Sequence, residues 1–178
     1  MNLQNIVLIS YGHFEKDFLD KIAECVTREF LFPVIIKEDH IDLSEFYDPA
    51  RRQYNGNELL KEVDFRFSSK SFKGLGLFHV DLFIPILTYV FGQAFLNGHT
   101  GIASLYRLKN KRYGMQSDEK LLLDRFRKDV IHELGHTFGL KHCHNPTCVM
   151  RSSTYVEDID QKSENLCAKC RKELRIIY

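Results

Sequence analysis

The stretch His132 to His142, HELGHTFGLKH, decides how the rest of the sequence is read. His132 and His136 are four residues apart, so on an α-helix they share one face about one turn apart and can point at a single ion. Glu133 stands one step round that helix, badly placed to ligate the ion and well placed to act on a water beside it. Gly139 suits the left-handed backbone that ends a helix, so the chain can turn there and bring His142 back as a third donor. Three protein donors leave a fourth position to water, which is the pattern of a catalytic zinc. His-Glu-x-x-His alone recurs by chance in unrelated proteins. The glycine and third histidine at fixed offsets, on a segment that independently reads as a helix, make the signal much more specific.

Working outward from this stretch, Leu122, Phe126, Val130, Leu134 and Phe138 recur at four-residue steps and define the buried face of that helix. Ser117 with Asp118 and Glu119 marks its start, with acids in the first turn. Further upstream, Asn5 to Tyr11 reads as a buried strand, Phe14 to Phe30 as an amphipathic helix and Pro33 to Ile36 as a second strand, which makes a βαβ start. A second helix is expected from about Gly56 to Val63, and Lys73 to His79 reads as a strand. Tyr89 to Phe91 reads as a strand or its loop, and Gly101 to Leu108 (GIASLYRL) as a further strand that could be a sheet edge. The expected class is α/β (α+β) in one domain over 1–178.

Twenty-five basic and 24 acidic residues give a net charge of +1, so no global field recruits nucleic acid or an anionic membrane. The most apolar region, Leu82 to Phe91, contains Pro85 and falls short of the roughly 20 residues that a spanning helix needs. No membrane association is expected. The opening residues lack a signal-peptide pattern, which points to a cytoplasmic, reducing setting in which clustered thiols hold metal more often than they form disulfides. Monomer is the favoured state.

Cys143 follows the third histidine directly, and the spacing continues as Cys143-x4-Cys148-x18-Cys167-x2-Cys170. Four thiolates so spaced match a closed structural zinc site. Two disulfides, or a Cys167/Cys170 redox pair, are the competing readings. Cys25 stands alone in a helical pattern and reads as core; His144 reads as an exposed loop residue, and Asp81 has no evident partner. Met150 stands in the position of a turn beneath the metal, though a lone methionine is also ordinary packing. The basic C-terminal tail from Arg171 lacks an aromatic platform for nucleic acid and reads as a solvated face.

HELGHTFGLKHC, followed by HNPT, CVM and CAKC, resembles the archaemetzincins, a metzincin-related group of zinc metallopeptidases. VDLFIP, YVFGQA and SLYRL in the preceding third look like the same family. The resemblance implies a zincin fold: a twisted mixed sheet with an active-site helix in an upper sheet-and-helix part over 1–139, and a small zinc-stabilised C-terminal part below the cleft over 140–178. It implies two zinc ions, one catalytic on His132, His136 and His142, and one structural on Cys143, Cys148, Cys167 and Cys170. It also implies Glu133 as general base, Met150 as the Met-turn residue, and a peptide or protein substrate. The GIASLYRL strand would be the edge that receives it. The rival function is a non-catalytic, zinc-stabilised protein that binds a peptide or partner without turnover.

Overall fold

The computed structural model describes residues 3–177. The chain starts as the sequence predicts. Strand β1 (Asn5–Tyr11) leads into helix α1 (Lys16–Phe30) and back to β2 (Val34–Asp39), with β1 and β2 parallel. Strands β3 (Tyr47–Asp48) and β4 (Gln53–Asn55) precede helix α2 (Gly56–Phe67). After it come β5 (Phe72–Phe78), β6 (Leu82–Ile84), β7 (Leu87–Val90), β8 (Gly92–Ala94) and β9 (Thr100–Ser104). Helices α3 (Glu119–Thr137), α4 (Val156–Gln161) and α5 (Ala168–Ile177) complete the chain.

The main sheet has the order β2-β1-β5-β9-β8, in which only β8 runs antiparallel to its neighbour. Alternation along β1 sorts its side chains to two cores: Ile6 and Leu8 pack towards α1 and α3, and Val7 and Ile9 towards α2. Burial on both faces explains why β1 reads as an unbroken apolar run. Phe126, Val130, Leu134 and Phe138 of the α3 stripe are fully buried. Each contributes about 2 kcal/mol by its removal from water, so α3 is anchored along its apolar face. Asp118, one residue later than expected, caps α3 by accepting from the Leu121 N–H.

Two expectations are corrected. Gly101 to Leu108 is not one edge strand: β9 ends at Ser104, lies buried between β5 and β8, and gives way to a turn of 3-10 helix over Tyr106–Leu108. The edge on that side of the sheet is β8, which folds back antiparallel on β9. The second helix, capped at its start by Asn55, runs past Val63 to Phe67, with its polar face continuing through Asp64 and Arg66. A second small sheet, β3-β4-β6-β7, was not foreseen. Its strands, two to four residues long, are too short to carry a period.

Candidate active site and metal centres

His132, Glu133 and His136 occupy the last turns of α3. The helix ends at Thr137, and Gly139 takes a φ of +90°, the left-handed turn that its sequence position predicts. The turn returns His142 to the other two imidazoles: the three donor atoms lie within 4.8 Å of one another. Their exposure is graded, with His132 buried, His136 half-buried and His142 exposed. They sit in a cavity of about 550 Å³, with Glu133, Asp129 and Lys162 in its wall and β8 along one side.

The hydrogen bonds fix what these rings can do. His132 Nδ1 lies 2.9 Å from the Val149 carbonyl oxygen and His136 Nδ1 lies 2.8 Å from that of Leu140. A carbonyl only accepts, so each Nδ1 carries the proton and each Nε2 is a bare lone pair. Those two Nε2 atoms face each other at 3.1 Å. Two lone pairs at that distance repel unless a cation lies between them. A tetrahedral zinc with Zn–N of about 2.0–2.1 Å needs donors about 3.3 Å apart. The donor set therefore fits zinc. Burial holds all three imidazoles below their usual range, most strongly His132, where Lys162 and His136 add to it. Neutral rings are the ligating form.

Glu133 is 6% exposed. Burial, reinforced by Asp129 one turn earlier on the helix, pushes its carboxyl well above the usual range. Asp129 is raised to about 7, chiefly by burial, with Lys162 pulling the other way. Gly92 of β8 makes room for Glu133: a Cβ there would stand 2.7 Å from Glu133 Cγ and 2.6 Å from the Ile102 carbonyl oxygen. Met150 lies beneath the histidines, where a Cβ on Gly135 would collide with its sulfur.

The four cysteine sulfurs form a second group within 4.8 Å of one another. All are free thiols. Cys143 to Cys167 and Cys148 to Cys170 are each 3.8 Å apart. That is far beyond a disulfide bond of about 2.05 Å, and it is the sulfur–sulfur edge of a tetrahedron with Zn–S of about 2.3 Å. Burial pushes Cys167 up, but donation from the Cys170 backbone and neighbouring thiols outweighs it and brings the thiol down to about 7. Burial and the other thiols push Cys170 up. The two groups share a loop: the Cys143 N–H donates to the Met150 carbonyl at 2.9 Å, one residue from the carbonyl that holds His132.

His144 is exposed, Cys25 is core, and neither joins a metal-ligating group among the described residues. Asp81, unassigned from the sequence, accepts two hydrogen bonds from Arg107 at 2.7 and 2.6 Å. Arg107 in turn covers the ring of Tyr89, whose hydroxyl donates to the Thr154 carbonyl at 2.9 Å at the cavity wall. Asp129, Lys162 and Gly92 were missed. An acid one turn before Glu133 was readable as a candidate, whereas Lys162 and Gly92 carry no local signal. No helix of the described residues is long and apolar enough to cross a membrane.

The model of Peptidase family M54 matches residues 4–176. An archaemetzincin of Haloquadratum walsbyi is 41% identical over 131 residues, covering 72% of this chain and 75% of that protein. A zinc-dependent peptidase from Methanocorpusculum labreanum superposes with a TM-score of 0.86 at 29% identity, over 96% of this chain and all of that one (100%). The archaemetzincin of Methanopyrus kandleri gives a TM-score of 0.84 at 33% identity, covering 97% and 95% of the two chains.

Proposed function

The chain belongs to peptidase family M54, the family of the archaemetzincins; from that premise we propose that it hydrolyses peptide bonds as a zinc metallopeptidase, with His132, His136 and His142 holding the catalytic ion and Glu133 as general base. The observation that carries this reading is the pair of bare Nε2 lone pairs facing each other at 3.1 Å, next to a buried carboxyl in an open cavity. When bound, the ion supplies a Lewis acid that acidifies water and polarises a carbonyl.

The chain's own residues do the rest. Glu133 takes a proton from the attacking water on a carboxylate oxygen and returns it to the departing amine. In the metal-free chain its affinity for protons is raised, which suits the second step, and a bound cation would lower it and so serve the first. The Asp129 carboxyl on the same helix face reinforces that affinity, and Gly92 keeps β8 close enough to wall Glu133 off from solvent. The free edge of β8 can pair with the main chain of an extended substrate and draw its carbonyl past the histidines. Cys143, Cys148, Cys167 and Cys170 hold a second ion, closed by four thiolates, that pins α5 to the loop behind His142. The domain is then one unit, with the 140–178 part below the cleft.

The test is a peptide-library digest of wild type and Glu133→Ala, each with its zinc counted. Glu133→Ala is expected to keep two zinc ions and lose about 10²–10⁴ in turnover. Equal cleavage by both proteins would sink the assignment. Binding of peptides without cleavage by wild type would favour the non-catalytic reading.

A further inference from the structure

Lys162 lies far from the histidines in sequence and is tied to one of them through a single oxygen atom. It follows α4, is 6% exposed and lines the cavity. Its ammonium donates to the Val149 carbonyl at 3.1 Å and to the Arg151 carbonyl at 2.8 Å. The Val149 oxygen is also the one that accepts from His132 Nδ1 at 2.9 Å. The two carbonyls flank Met150, whose sulfur rests against Gly135 between His132 and His136.

We infer that Lys162 is a positioning residue for His132: it clamps the loop 149–151 beneath α3 so that the Val149 oxygen holds the imidazole with its proton on Nδ1 and its lone pair towards the ion. A carbonyl oxygen has two lone pairs, and here one takes the imidazole and the other the ammonium. Without the ammonium, the loop loses both hydrogen bonds that Lys162 makes on either side of Met150, and the Val149 carbonyl, left with the imidazole to hold it, can turn. His132 then loses the acceptor that fixes its tautomer, which is the outer contact that orients a ligating histidine.

The placement of the ammonium argues for this duty over simple charge balance. Burying a lysine is costly unless its donors are used. No carboxylate oxygen of the described residues lies within the 4.0 Å of an ion pair with Lys162 Nζ, although Asp129 and Glu133 act on it through space. Its direct contacts go to backbone instead. A residue present only to neutralise those acids would touch one of them.

The inference rests on His132 being a metal ligand, and the test separates the two claims. The full chain, stripped of metal, is titrated with Co²⁺ for wild type, Lys162→Met and Lys162→Arg. Thiolate charge-transfer absorption reports the cysteine group, and the weaker visible bands without it report the histidine group. Lys162→Met is expected to weaken the histidine site by about 10–100-fold, with the thiolate titration unchanged, and Lys162→Arg to recover part of the loss. Wild-type affinity at the histidine site in Lys162→Met, or equal weakening at both sites, would overturn the inference. A wild-type chain that shows only the thiolate bands would overturn the reading of the histidine site itself. Imidazole ¹⁵N spectra of the wild type with zinc in the cysteine group alone give a check that needs no variant: His132 should be the Nδ1–H tautomer alone, and an Nε2–H or mixed population contradicts the clamp.

Discussion

The histidine and cysteine groups meet at one peptide bond, between His142 and Cys143, and differ in almost everything that follows from their donors. The histidines offer three neutral nitrogens, graded from buried to exposed, at the wall of an open cavity. The cysteines offer four sulfurs, two of them buried and two half-buried. Neutral donors leave a dication its charge and a vacant position, whereas four thiolates overcompensate the charge and fill every position. The first arrangement suits chemistry and the second suits holding. Neighbouring sites built from different side chains can therefore divide the labour of one fold.

They are not independent, because one loop serves both. The Met150 carbonyl receives Cys143, the Val149 carbonyl receives His132, and Cys148 precedes them both. The largest effect is expected from breaking the closed site. Cys167→Ser should release one zinc and lower the melting temperature by on the order of 10 °C. It should also weaken the histidine site about tenfold through the shared loop. If atomic absorption shows the second zinc lost while first-site affinity and activity stay at wild-type values, the coupling is wrong.

A smaller effect is expected from crowding the open site without touching a donor. In Gly92→Ala the new methyl meets both Glu133 and the Ile102 carbonyl, so Glu133 is displaced or β8 shifts. Turnover should fall about 10–100-fold with both zinc ions retained. Metal loss instead of turnover loss would show that β8 supports the ligands and not the base.

The smallest effect is the pH dependence of the protein with its histidine site empty. Each histidine is held below its ordinary value of 6.5, so between that value and its folded value the unfolded chain binds more protons. Stability from this source is present above pH 6.5 and is lost as pH falls through that window. Melting temperatures of the chain with its histidine site empty should decline below pH 6.5, and less so in His132→Phe. A flat profile in both proteins would contradict neutral burial.

What was legible in the sequence was whatever one element or one turn could bring together. His132 and His136 share a helix face, Gly139 turns the chain, and the cysteine spacing closes on itself. The apolar step from Leu122 to Phe138 located α3, and the βαβ start was correct because β1 is buried on both faces. What escaped needed contacts across the fold. Lys162 reaches the histidines only because α4 packs under α3, and Gly92 meets Glu133 only because β8 turns back on β9. Asp81 gained its meaning from Arg107, which lies beyond four further strands. The edge was misassigned to residues 101–108 because pairing partners, and not composition, decide which strand is outermost.

Stepwise chelation of the zinc-loaded protein tests the proposed division of labour most directly, with hydrolysis, zinc content and circular dichroism followed together. The open site should empty first: one zinc leaves, hydrolysis stops and the fold signal stays. Removal of the second should then unfold the C-terminal segment. Hydrolysis that survives loss of the first zinc, or a fold that collapses with it, would contradict the account.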